Sequence, residues 1–393
     1  MRFRLDAFLL FEQIMYPNNP KNFGRMTSID GLRGLAALAV LGYHARSTFW
    51  VGTKQTFQEY GLSFNLNSWF GYLTLPFSLG GLGVILFFVL SGYCIHRRGA
   101  RHIAADQGAV IQYSKFYSRR FWRLYPTYVA ALLCTAFIDY WVRAETGLRP
   151  GQDNSLYAFL ISLVALQGYF APCFGSNGVF WTLAMEIHLY LAYPLLFLIS
   201  RKYGPNRVIL VTLLAGLSYF TVDAVWDIEG AIGYRQNETP VFLPFWFAWA
   251  TGFYLAEIEA DRVSDLSDFT WVILMVAGFA AGFSLHISGY TTLSNIPWAL
   301  FFAGVLRLSF KNNGERMWSL VPGRALAFVG IFSYSLYAIH VPVFEALGVL
   351  LEPITNESKF VSIWPAICVG LLSLPIGYLF YRSVEYWSVR SKD

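Results

Sequence analysis

The stretch Ser28-Ile29-Asp30-Gly31-Leu32-Arg33-Gly34-Leu35-Ala36-Ala37-Leu38-Ala39-Val40-Leu41-Gly42-Tyr43-His44 is apolar enough to enter a bilayer, yet it carries a guanidinium and an imidazole. Arg33 and His44 are eleven residues apart. At about 100° per residue that is three turns plus roughly 20°, so one helix presents both on one face, about 16 Å apart along its axis. Ionisable groups inside a membrane helix are costly and mark a functional site by default. The structural alternative is that Arg33 snorkels to one interface and His44 sits at the other.

The rest of the chain supports a membrane reading. Of 393 residues, 56% are hydrophobic and only 13% charged, against about 25% charged in a soluble domain. Apolar runs of span length recur at 28–47, 75–96, 123–142, 178–200, 207–226, 240–258, 269–287, 290–308, 326–348 and 361–382. This predicts an all-α polytopic membrane protein of about ten transmembrane helices, with the lipid bilayer as its solvent. The net charge of +5 is modest, and no nucleic-acid signature is present. Cys94, Cys134, Cys173 and Cys368 lie in or beside apolar segments and read as packing residues. No metal site is expected, because the histidines lack ligand spacing.

Basic residues fix the expected topology. Arg97, Arg98, Arg101, Lys115, Arg119, Arg120 and Arg123 face one acid, Asp106, across 97–123. That loop is expected in the cytoplasm, and the N-terminus with it. Further basic loops at 201–207 and 307–324 and in the tail belong on the same side only if an even number of crossings separates Arg123 from Arg201. The short apolar stretch 155–171 is therefore expected to be re-entrant or interfacial. Residues 1–26 form an extension, either an interfacial helix or sequence upstream of a start at Met26. The membrane domain is drawn at 27–385 and a cytoplasmic tail at 386–393, with no soluble domain appended.

Four more clusters carry polar chemistry at membrane depth. In 80–93, the glycines suit close helix contact, while Ser91 and Tyr93 offer polar groups. In Tyr117-Ser118-Arg119-Arg120-Phe121-Trp122-Arg123, the cations are either an ordinary membrane anchor or a site for a polyphosphorylated ligand, since arginine forks bind phosphate oxygens bidentately. In Trp181-Thr182-Leu183-Ala184-Met185-Glu186, Glu186 shares a face with Tyr190. A carboxylate there needs a partner, and Arg33 or His44 is the natural candidate. Ser333, Tyr337 and His340 form one stripe at i, i+4 and i+7. His96, His102 and His286 fall at loop edges and are assigned no role.

Taken together, Asp30-Gly31-Leu32-Arg33-Gly34 with His44, Phe87-Phe88-Val89-Leu90-Ser91-Gly92-Tyr93, Arg119-Arg120 with Arg123 and Pro126, Trp181-Thr182 with Glu186 and Tyr190, and Ser333-Tyr334 with Tyr337 and His340 resemble the acyltransferase-3 family of bacterial membrane acyltransferases. The likeness covers about residues 27–385. It implies a ten-helix core in the bacterial inner membrane with both termini cytoplasmic. It implies transfer of an acyl group, often acetyl, to hydroxyls of a surface or secreted carbohydrate or glycolipid. Acyl-CoA is then the donor substrate, and no cofactor is permanently bound. The resemblance makes His44 the catalytic base candidate, with Arg33 and Glu186 beside it. Arg119, Arg120 and Arg123 handle the donor, and Ser91, Tyr93, Tyr190, Tyr337 and His340 line the substrate cavity. Many relatives have two acids after the tryptophan; here only Glu186 is kept. A transporter or flippase using buried His, Glu and Arg as a relay is the rival reading.

Overall fold

A computed structural model of the chain describes residues 23–61, 65–147, 150–151, 153–226, 242–310, 318, 320–355 and 359–390. Residues 1–22 of the expected extension, the basic segment 311–317 and the last three tail residues lie outside the described residues. Residues 23–26 already belong to the first helix.

The elements are α1 (Phe23–Phe49), α2 (Thr53–Tyr60), α3 (Leu66–Leu73), a 3-10 turn at Leu75–Leu79, α4 (Leu82–Ala105), α5 (Tyr113–Thr146), α6 (Leu156–Leu163) and α7 (Phe180–Tyr203). They continue with α8 (Pro205–Trp226), α9 (Leu243–Glu259), α10 (Asp268–Ile287), α11 (Asn295–Ser309), α12 (Val321–Ile331), α13 (Ser333–Thr355), α14 (Trp364–Phe380), a π turn at Tyr381–Glu385 and α15 (Tyr386–Arg390). Among the described residues there is no strand, only isolated bridges at Trp50–Phe360 and Asp153–Phe174. The polytopic all-α expectation holds. Length and apolar composition qualify six helices as spans, or seven if the bent pair Leu66–Leu79 and Leu82–Ala105 counts as one.

Burial separates centre from rim. On α9 nearly every side chain is buried, as expected of a helix apolar on all sides. On α10, by contrast, only Trp271, Gly278 and Gly282 are buried, and Phe269, Val276 and Ile287 face outward as a lipid-facing belt would. Glycines set the closest contacts. A Cβ on Gly252 would lie 1.8 Å from the Val89 carbonyl oxygen, and one on Gly92 would lie 1.9 Å from that of Trp249. The backbones of α4 and α9 thus touch reciprocally. Gly34 and Gly330 do the same for α1 and α12, against Leu326 and Asp30. Gly252→Val is expected to cost about 3 kcal/mol, the upper part of the overpacking range. A lowered melting temperature in detergent checks this.

The span expected at 326–348 needs correction. The helix breaks at Phe332, so α12 is a short separate element lying on α1, and the long helix starts at Ser333. The last helix runs past residue 382, through its π turn, into α15.

The 155–171 stretch forms no span-length helix and turns back on itself. Eight residues of α6 rise only about 12 Å. The chain then returns, and the Asp153–Phe174 bridge ties its entry to its exit. Its deep backbone is satisfied by protein: Tyr128 donates to the Ser162 carbonyl at 2.5 Å, and Gln167 donates to the Phe180 carbonyl at 2.8 Å. Asp139 fixes the exit, accepting from the Ser176 backbone N–H at 2.8 Å and hydroxyl at 2.7 Å.

With that segment turned back, the described arginines of the 97–123, 201–207 and 307–324 loops gather toward one end of the bundle, whereas Arg46 and Arg143 lie in the last turns of helices that start there. Arg97 and Arg101 pair with Glu259 at 3.1 and 2.7 Å, Arg201 donates to the Ala109 carbonyl at 2.8 Å, and Arg307 pairs with Asp265. Ser28, near the start of α1, donates to the Ser309 carbonyl at this end.

Candidate active site

Two internal cavities lie against each other, sharing Val84 and Tyr337 in their walls. The first, about 110 Å³, lies toward the basic end. It takes Arg33 from α1, Ser91 from α4, Arg120 and Arg123 from α5, Glu186 and Tyr190 from α7, and Ser333, Tyr334 and Tyr337 from α13. Its polar groups are cross-linked. Glu186 accepts from Tyr190 at 2.5 Å and Ser91 at 3.3 Å, and Ser91 accepts from Trp249 at 3.2 Å. Arg33 pairs with Asp30 at 3.4 Å and points its other nitrogen at the Cys94 sulfur at 3.5 Å. Arg120 lies 5.9 Å over the Tyr190 ring, and its Nε is buried without a partner. Arg123 reaches Glu385 at 3.2 Å. Glu385 is fully buried and also accepts from Ser335 at 2.6 Å.

The second cavity, about 380 Å³, lies toward the other end. His44 and Tyr43 line it from α1 and Trp181 from α7, with His286, Thr292 and Asn295 from the end of α10 and start of α11. Among the described residues none of its lining is Lys, Arg, Asp or Glu. His44 has no hydrogen bond through its ring nitrogens among the described residues. Its ring instead lies 5.1 Å from that of His340. His340 is 1% exposed, with Nδ1 at 2.8 Å from the Tyr337 carbonyl. A carbonyl only accepts, so Nδ1 carries the proton and the lone pair sits on Nε2. That Nε2 is buried without a partner.

The structure therefore gathers Arg33, Arg120, Arg123, Glu186, Ser91, Tyr190 and Tyr337 in one chamber and places His44 in the next. Four expectations change. Glu186 is bonded to Ser91 and Tyr190 in the arginine chamber, while the aromatic neighbour of His44 is His340. Tyr93 lines neither cavity; it is fully buried and bonds Glu259, because two residues along a helix put it about 200° from Ser91. His340 stands behind His44 rather than in a cavity wall. Arg119 is not in the lining either; it lies beside Arg98 and Arg120.

Sequence reasoning passed over Glu385, His286 and His96. His96 is no loop-edge residue: it is fully buried, 2.7 Å from Glu257 and 3.2 Å from the Tyr193 hydroxyl. Glu257 is held in turn by Arg262 at 2.6 Å and by Ser200. A glutamate near the end of an apolar run, as at 257 and 385, was the available signal. Among the described residues no group of His, Cys, Asp and Glu is arranged to hold a metal ion.

Fold and chambers define a polytopic helical membrane protein with ionisable side chains facing an internal site. Comparison with known proteins goes further: residues 26–382 match the family described as an acyltransferase domain, and the chain belongs to that family. The peptidoglycan O-acetyltransferase OatA of Listeria monocytogenes is 24% identical over 380 residues, 91% of this chain and 55% of the relative. The acyltransferase MdmB of Streptomyces mycarofaciens is 28% identical over 193 residues, 48% of this chain and 43% of the relative. This chain thus spans about half the length of those two. The putative membrane-bound transacylase BcsY of Komagataeibacter xylinus is 25% identical over 385 residues, 93% of this chain and 83% of the relative. No solved structure matches the chain.

Proposed function

We propose that this chain transfers an acyl group, acetyl in the simplest case, from acyl-CoA to a hydroxyl of a carbohydrate or glycolipid. The observation that carries the reading is the pairing of a cationic chamber at the basic end with an uncharged chamber holding His44, joined at Tyr337 and Val84. In this reading ten helices cross a bacterial inner membrane, and the basic end and both termini face the cytoplasm.

The donor enters from the basic end. Arg120 and Arg123 bind its phosphates, and the orphaned Arg120 Nε gives that role a free donor. The thioester arm extends through the arginine chamber toward Tyr337. His44 removes the proton from the acceptor hydroxyl, whose oxygen attacks the thioester carbonyl. The tetrahedral oxyanion collapses, the carbon–sulfur bond breaks, and the imidazolium returns its proton to the departing thiolate. Tyr337, which lines both chambers, stabilises the oxyanion, and Arg33 acts on the donor arm within the cationic chamber. Glu186 offsets the arginine charge and orients Tyr190 and Ser91. The His340 ring packs 5.1 Å from that of His44, so it positions the base by contact.

Arg120→Ala with Arg123→Ala is expected to raise the KM for acyl-CoA at least tenfold with a smaller change in kcat. Unchanged donor KM in labelled-donor kinetics contradicts the phosphate role. The function itself is tested by mild-base release of acetate from surface glycans of a deletion strain with and without the wild-type gene. Gene-dependent ester supports the reading, and its absence with a verified membrane-inserted protein counts against it.

A further inference from the structure

We propose that the turn joining α10 to α11, residues 286–295, reads the acceptor, and that what it reads is an uncharged, hydroxyl-rich glycosyl group. The inference rests on the acyl-transfer reading above and deepens it.

Asn295 carries the argument. It is 8% exposed and lines the His44 chamber. Its side-chain amide makes no hydrogen bond among the described residues. Its two donors and one acceptor therefore open onto the chamber and are free for a ligand. Its neighbour Ser294 shows what a turn-forming side chain does here, donating to the Thr291 carbonyl at 2.5 Å. Asn295 joins the turn only through its backbone N–H, which donates to the Thr292 carbonyl at 3.2 Å, and its side chain lines the chamber. His286 and Thr292 line the same wall, and their side chains also have no hydrogen-bond partner among the described residues.

The chamber's other features select the ligand class. Among the described residues no Lys, Arg, Asp or Glu lines it, so a phosphate- or carboxylate-bearing group finds no counter-charge from them there. The opposite holds one chamber away, where three arginines stand. Trp181, Tyr43 and Phe245 give flat apolar walls, and a few polar groups converge between them. A sugar ring presents that combination: apolar C–H faces and a rim of hydroxyls that donate and accept. Asn295, Thr292 and His286 then hold the rim while one hydroxyl faces His44.

The test uses membranes containing the full chain, radiolabelled acetyl-CoA and the native saccharide pool, with products separated into neutral and anionic fractions. Wild type is expected to label the neutral fraction. Asn295→Leu and His286→Ala should each lower the rate at limiting acceptor about tenfold, with the KM for acetyl-CoA within twofold of wild type. Asn295→Gln, which keeps the amide, should recover part of the rate. Thr292→Val gives the same comparison if Asn295→Leu fails to fold. Wild-type rates in both Asn295→Leu and Thr292→Val, or label in the anionic fraction alone, overturn this inference and leave the acyl-transfer reading standing. No labelled saccharide with wild type overturns that reading, and this one with it.

Discussion

His44→Ala is expected to lower acyl transfer by about 10²–10⁴-fold, the range supplied by a positioned general base. That equals about 3–5 kcal/mol of lost transition-state stabilisation. His44 is the one imidazole in the walls of either chamber that also stands on the helix carrying Arg33. In the proposed reaction both reactants meet where Tyr337 and Val84 line both chambers, and His44 lines the second of these. The substitution removes a half-buried side chain facing a cavity, so folding should be little affected. The check is the rate of ester formation in membranes with matched protein levels. A rate within fivefold of wild type contradicts the assignment. His340→Ala should act more weakly, because His340 works through His44 and touches neither reactant.

Glu257→Ala should give the largest loss of stability among single side-chain removals. Glu257 is fully buried and holds His96, Ser200 and Arg262 at once, with Arg262 also donating to the Ser200 carbonyl at 3.1 Å. The cluster ties α4, α7 and α9 together at the basic end. Breaking a buried pair by removing one partner costs about 3–5 kcal/mol, because the other charge is left uncompensated. A domain's whole stability is about 5–15 kcal/mol, so the yield of folded protein should fall sharply. Melting in detergent checks this. The double variant Glu257→Leu with Arg262→Leu is expected to be milder than Glu257→Ala, since it leaves no stranded guanidinium. A double variant worse than the single contradicts the charge argument.

Much of this architecture could be read from the chain. Recurrent apolar runs marked the helices, and the parity of basic loops required 155–171 to turn back. The break at Phe332 was not readable, because apolar composition runs straight through it. Its cause is tertiary: α12 lies on α1 through Gly34 and Gly330. One-face spacing correctly grouped Glu186 with Tyr190 and Arg120 with Arg123. The same rule, applied to Ser91 and Tyr93, would have separated them. Spacing says nothing about how far one helix slides along another, which is why it left Arg33 and His44 both open as partners of Glu186; packing puts Glu186 in the chamber of Arg33 and one chamber away from His44. His286 was invisible for the same reason: only packing brings the end of α10 level with the end of α1.

The central claim is that donor and acceptor enter from opposite ends and meet at His44. Purified protein in sealed liposomes tests it, with the basic end facing inward in an orientation-selected population and radiolabelled acetyl-CoA trapped inside. Acceptor saccharide is added outside. The account predicts ester-linked label on the external saccharide with wild type and none with His44→Ala. Label that appears only when donor and acceptor share a compartment would contradict it.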